Sequence, residues 1–227
     1  MSEKSTSIPS CPVSRWLRRK EARPGELIEA ALDLFVERGY AATKMDDIAR
    51  RAGVTKGTAY LYFPTKEALF KAVIREALLP RVERGEAIVA GANGCAWEAL
   101  QALVREVWSV LSEPRIAGIP KLMCAECGNF PELAAYYKQE VIDRVMATIR
   151  GVLVRGMDSG EFRRYDDEYA TRVLIAPLVM AMLWQHSFAR YEDRPVDYEL
   201  YLGVYLELLD ASLRPAPIHH LEKEVTP

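Results

Sequence analysis

The sequence predicts an all-α protein with a small N-terminal helical domain followed by a larger helical body. Three observations carry this expectation. Apolar residues recur at helical spacing through most of the chain, glycine and proline gather where those patterns stop, and few stretches alternate with the two-residue period of a strand. The 227 residues suffice for one domain of ordinary size plus a small one, and the hydrophobic half of them can fill a real core.

Residues 24–70 set out the small domain. Pro24 suits the first turn of a helix, where a missing N–H costs nothing. Leu27, Ile28, Ala31, Leu34 and Phe35 then form one apolar face, and Gly39 supplies a left-handed stop. Thr43 and Asp46 have capping-box spacing and predict a second helix with Met45, Ile48, Ala49 and Ala52 inside. Gly53 ends it, Val54 plugs the turn, and Thr55 caps a short third helix closed by Pro64, which disfavours helical geometry at Phe63. Two helices joined by a tight turn make a helix-turn-helix, a shape that lays its second helix in the major groove of DNA.

The third helix is not built for burial. Only Ala59 and Phe63 point inward by pattern, while Lys56 offers a charge for phosphate or guanine and Gly57 permits close approach of a backbone. Thr43, at a helix N-terminus, is placed to hold a phosphate oxygen, and Lys66 to clamp the same strand.

The run TKGTAYLYFPTKEALF, preceded by ATKMDDIARRAGV, resembles the DNA-binding signature of the tetracycline-repressor family of transcription regulators. The resemblance covers about residues 24–74. It implies an all-helical homodimer with a three-helix helix-turn-helix DNA head and a larger ligand-binding and dimerisation body. It also implies that Thr43, Thr55, Lys56, Gly57, Thr58, Tyr60, Tyr62 and Lys66 lie at the DNA surface, with Lys56, Gly57 and Thr58 reading bases. Leu61 departs from the pattern, since that slot is often aromatic or histidine in relatives.

Charge distribution fits a two-part regulator. Residues 1–66 hold 12 Lys+Arg against 8 Asp+Glu, a net +4, and the remainder holds 18 against 24, a net −6. Residues 1–22 read as a disordered basic arm, rich in Ser, Thr and Pro before Arg15, Arg18, Arg19 and Lys20, with Arg23 continuing the basic run; such an arm suits a minor groove or phosphates, or only raises the local potential. No apolar run follows those charges, so they do not read as a signal peptide. The most apolar stretch, Val173–Trp184, is interrupted by Pro177 and falls short of the ~20 residues a membrane helix needs. A soluble, cytoplasmic protein is expected.

The DNA head is bounded at 23–70, the body at 71–213 and a C-terminal tail at 214–227. In the body, helices are expected near Glu67–Ala90, Ala96–Leu111, Arg115–Cys127, Pro131–Met157, Asp167–Ala189 and Pro195–Leu213. The last two are apolar on more than one face. A helix apolar all round must be buried, and this predicts a four-helix homodimer interface from the last two helices of each subunit, against an ordinary monomeric core. Two heads would then meet half-sites about one turn, ~34 Å, apart.

Trp97, Trp108, Met123, Cys127, Phe130, Tyr137, Val141, Met180 and Trp184 are candidates for lining a cavity for a small hydrophobic ligand, although the same residue types fill ordinary cores. The run KLMCAECGNFPELAAYY is similar to the ligand-domain segment of a subgroup of the same family that tends to regulate efflux and responses to small hydrophobic or aromatic compounds. Cys124 and Cys127 have the spacing of a redox or metal motif. No second pair completes a zinc site, and two small buried side chains is the plainer reading.

There is no phosphate-cradling glycine loop, nucleophile elbow or helical His pair, so neither an enzyme nor a cofactor or metal site is expected. The expected function is a ligand-responsive transcriptional regulator. It would be a repressor released from a palindromic operator by a small hydrophobic or aromatic inducer. A redox-sensing regulator switched through Cys124 and Cys127 is the alternative.

Overall fold

The computed structural model describes residues 13–194 and 196–214, with side chains from Arg23 onward; residues 1–12 and 215–227, including most of the expected C-terminal tail, lie outside the described part. Every regular element among the described residues is helical. The chain divides into two compact units, residues 1–73 and 74–227.

The head comprises α1 (Val13–Arg38), α2 (Met45–Arg51) and α3 (Lys56–Tyr62), with the first part of α4 (Lys66–Ala77). Leu27, Ala31, Leu34 and Phe35 of α1 are buried as their spacing requires, and Phe35, Tyr40 and Phe70 pack ring against ring at 5.2–5.4 Å. Gly39 and Gly53 both take positive φ, 83° and 67°, which glycine adopts without steric cost, and they turn the chain after α1 and α2. Arg51 ties α2 back to α1 through Asp33 and Glu37.

Three local expectations are corrected. Pro24 lies inside α1, whose backbone is helical from Val13, so residues 13–22 of the expected disordered arm are helical as well. The capping box does not form. Lys44 occupies the N-cap of α2 without a side-chain bond, and the Thr43 hydroxyl donates to the Leu34 and Gly39 carbonyls at 3.1 and 2.7 Å. The single helix expected over 67–90 is two, α4 and α5 (Leu79–Gly91), separated at Leu78. Pro80 explains the break: it has no N–H to continue α4 by bonding the Glu76 carbonyl, yet fits the first turn of a new helix.

The body continues with α6 (Ala96–Ser112), α7 (Pro114–Glu126), α8 (Pro131–Tyr137), α9 (Asp143–Asp158), α10 (Asp167–Ser187) and α11 (Tyr198–Leu213). A π turn, Lys138–Ile142, joins α8 to α9 without a gap. Leu100, Leu103, Ile149, Leu153, Leu174, Leu178, Leu202 and Leu206 form the centre of the core, drawn from α6, α9, α10 and α11. Glu161 caps α6 from a distance, accepting bonds from the Ala96 and Trp97 amides at 2.6 and 2.9 Å. The tyrosines of α11 fix it to α10 around Pro177, with Tyr201 donating to the Pro177 carbonyl at 3.0 Å and Tyr205 to that of Leu174. No described helix is long and apolar enough to cross a membrane.

Candidate DNA-binding surface and ligand cavity

The exposed surface of the head centres on α3. Thr55 caps it, its hydroxyl accepting from the Thr58 amide at 3.2 Å and lying 2.9 Å from the Thr58 hydroxyl. Lys56 and Gly57 follow in the open first turn. A Cβ on Gly57 would meet nothing closer than the Thr55 hydroxyl at 4.0 Å, so its smoothness serves whatever approaches from outside. Lys56 Nζ pairs with Asp46 of α2 at 3.0 Å, and that hydrogen bond raises the lysine above its ordinary pKa. Tyr60 is exposed and Tyr62 half-buried, while Leu61 is 77 % exposed on the same short helix. Thr55, Lys56, Gly57, Thr58, Tyr60 and Tyr62 are thus carried together by one helix and its cap. Its only fully buried residue is Ala59, which anchors it.

Two expected DNA residues leave that set. Thr43 is 1 % exposed and its hydroxyl is bound to the carbonyls of Leu34 in α1 and Gly39 just after it, so it holds the α1–α2 turn in place. Lys66 Nζ donates to the carbonyls of Tyr40, Thr43 and Ala41 at 2.6, 2.9 and 3.4 Å and sits 4.3 Å from the Tyr40 ring centroid. Its ammonium braces the same turn. Lys66→Ala is therefore expected to lower stability by about 1–3 kcal/mol, read as a lower melting temperature. The salt slope of DNA binding should stay unchanged, whereas a fall of about one unit in that slope would place Lys66 on a phosphate after all.

The body contains a cavity of about 230 Å³, slightly below the ~300–1,000 Å³ typical of drug-sized ligand sites. Its wall is mostly aliphatic. Leu78 comes from the N-cap of α5 and Val82 from its first turns, Leu103, Val107 and Val110 from α6, Val145 and Met146 from α9, and Ile175, Val179 and Met182 from α10. Val141 and Ile142 enter from the π turn, a departure from the α-helix found often at functional sites.

Of the expected cavity residues only Tyr137 and Val141 line it. Trp97 and Trp108 are core residues, and Met123 is buried outside the wall. Phe130 is half-buried away from it, and Cys127 is exposed with Cys124 taking its expected place. Met180 and Trp184 face outward on α10, where Met182 supplies the lining methionine. Cys124 and Cys127 are both exposed free cysteines, and partial desolvation, with Cys127 adding to it, raises the Cys124 thiol.

The polar groups of the wall were not foreseen. Glu86 is held by Arg144 through two bonds of 2.8 and 2.7 Å, which lower its pKa, and Arg81 pairs with Glu113 at 3.3 Å. Glu106 is 8 % exposed. One of its oxygens lies 3.1 Å from Arg84 Nε, and the other is buried and meets no donor among the described residues. A buried polar atom left so costs ~1–3 kcal/mol, more when charged.

These arrangements agree with the comparisons. A model of the bacterial regulatory proteins of the tetR family matches residues 27–73, and one of the tetracyclin repressor-like C-terminal domain matches residues 90–197. The chain belongs to the TetR family: it is a DNA-binding, ligand-responsive transcription regulator. The fatty acid metabolism regulator protein of Bacillus subtilis (strain 168) is 27 % identical over 159 residues, covering 70 % of this chain and 80 % of that protein. The HTH-type transcriptional regulator RutR of Escherichia coli (strain K12) is 43 % identical over 61 residues, 27 % of this chain and 29 % of RutR. Among solved structures, a regulator from Saccharomonospora viridis in complex with choline has a TM-score of 0.73 at 21 % identity, covering 87 % of this chain and all of that one. FadR from Bacillus subtilis in complex with stearoyl-CoA has a TM-score of 0.67 at 24 % identity, covering 82 % and 97 %. At these identities the likeness is one of fold.

Proposed function

We propose that this protein is a homodimeric repressor that leaves a palindromic operator when a small hydrophobic molecule fills the cavity of its body. The observation that carries this reading is the aliphatic cavity with Leu78 in its wall. Leu78 separates α5 from α4, and α4 begins at Lys66 in the head. A ligand that displaces α5 acts on the residue from which the chain returns to the DNA-binding unit. Ligand and operator then favour different populations of one protein, and a coupling of ~1–3 kcal/mol suffices for a switch. The relatives named for fatty acid metabolism and solved with stearoyl-CoA or choline support a ligand with an apolar or amphipathic body.

The dimer is supported by two stripes of exposed apolar residues. Tyr169, Val173, Met180 and Trp184 recur along the outer face of α10, and Leu200, Val204 and Leu208 along that of α11. The described residues leave these side chains largely exposed, whereas a second copy presenting the same stripes would cover them.

The cavity reading is tested by measuring melting shifts with a panel of small apolar and aromatic compounds on the protein and on Val179→Phe, whose ring would occupy the cavity. Compounds that stabilise the protein are expected to lose at least about tenfold in affinity on the variant and to release operator DNA from the unaltered protein. A compound whose binding Val179→Phe abolishes, yet which leaves operator affinity unchanged, would sink the coupling.

A further inference from the structure

The α6 stripe that faces the cavity is interrupted by a carboxylate: Leu103, Val107 and Val110 line the wall, and Glu106 stands between them. Its ionic partner among the described residues is Arg84, whose Nε lies 3.1 Å from one oxygen and whose side chain is mostly solvent-exposed, while the other oxygen is buried and meets no donor there. The remaining charged residues of the wall are committed, Glu86 to Arg144 and Arg81 to Glu113.

Taking the cavity as the ligand site, we propose that Glu106 is its polar recognition point and that the ligand carries a cationic amine or ammonium on an apolar body. A positive donor answers the unmatched oxygen with a charge-assisted bond in a poorly hydrated setting, where such bonds are strong. A neutral hydroxyl supplies only an ordinary hydrogen bond. A carboxylate or phosphate head would set like charge against Glu106, with the one guanidinium of the wall already paired. The aliphatic wall binds the body of the ligand without direction, and Glu106 decides which end of it is held.

The test uses three ligands with one tail, octylamine, octanol and octanoate, titrated calorimetrically at neutral pH into the full-length protein, Val179→Phe and Glu106→Gln. Circular dichroism melts establish that both variants are folded. Octylamine is expected to bind about tenfold or more tighter than octanol, with octanoate weakest. Glu106→Gln should close the gap between octylamine and octanol, and Val179→Phe should weaken every ligand that binds. Octanoate binding as tightly as octylamine, with both lost in Val179→Phe, would overturn the cationic preference and leave the cavity reading intact. An octylamine–octanol gap that survives Glu106→Gln would likewise overturn the role of Glu106. If none of the three binds, or if binding ignores Val179→Phe, both the preference and the cavity reading fail.

Discussion

Val173→Asp or Leu208→Asp is expected to turn a dimer into a monomer. The two side chains are 71 % and 65 % exposed on the outer faces of α10 and α11. In a two-fold interface each substitution occurs twice. Lost apolar burial alone then removes up to about 3–6 kcal/mol of association free energy, and the desolvation of two carboxylates adds to it. Sedimentation equilibrium should show the mass of one chain at concentrations where the unaltered protein shows two. Operator affinity should fall by roughly 10²–10⁴, because each head then binds without the effective concentration its partner supplies. Neither residue belongs to the inner core, so the melt of the monomer should stay cooperative. An unchanged mass for both variants would remove these helices as the interface.

Lys56→Ala and Thr58→Ala are expected to cost roughly 1–3 kcal/mol each in operator binding and to relax specificity at one position per half-site. Lys56 is held by Asp46 at 3.0 Å, so contact with a guanine or phosphate requires it to exchange one anion for another. Thr58 shares its hydroxyl with Thr55 at the cap, so Thr58→Ala also weakens the start of α3. The two effects are separable. A cap defect weakens all DNA sequences alike, whereas a lost base contact changes which sequences are preferred, as competition with single-base operator variants will show. If both variants bind every sequence as the unaltered protein does, α3 is not the reading helix.

The head was legible because its determinants are local. Gly39 and Gly53 must take positive φ wherever the rest of the chain lies, and the apolar spacing of Leu27, Ala31 and Leu34 fixes the buried face of α1. The contacts of Thr43 and Lys66 within the head were not legible, because they depend on tertiary packing. Spacing places Thr43 before a helix, but only the packed turn brings its hydroxyl to the Leu34 carbonyl. Pro80 was visible in the sequence, and a continuous apolar pattern on both sides hid the break it imposes.

The cavity was harder for a physical reason. Side chains that line a void and side chains that fill a core share the same hydrophobic spacing, so Trp97 and Trp108 could not be told from Tyr137 and Val141. Most of the wall is Val, Ile, Leu and Met, with Tyr137 its one aromatic residue. One signal was available. Glu106 falls three residues after Leu103 and four before Val110, on the buried side of an amphipathic helix, where an acid calls for a partner.

The most direct test of a dimeric, operator-binding regulator is selection of binding sites from a randomised duplex pool with the full-length protein at physiological salt. Enrichment of a palindrome with half-sites centred about one helical turn, ~34–36 Å, apart is expected, with one position per half-site relaxed when the protein carries Lys56→Ala. Enrichment of a single unrepeated half-site, or of no sequence even at low salt, would contradict it.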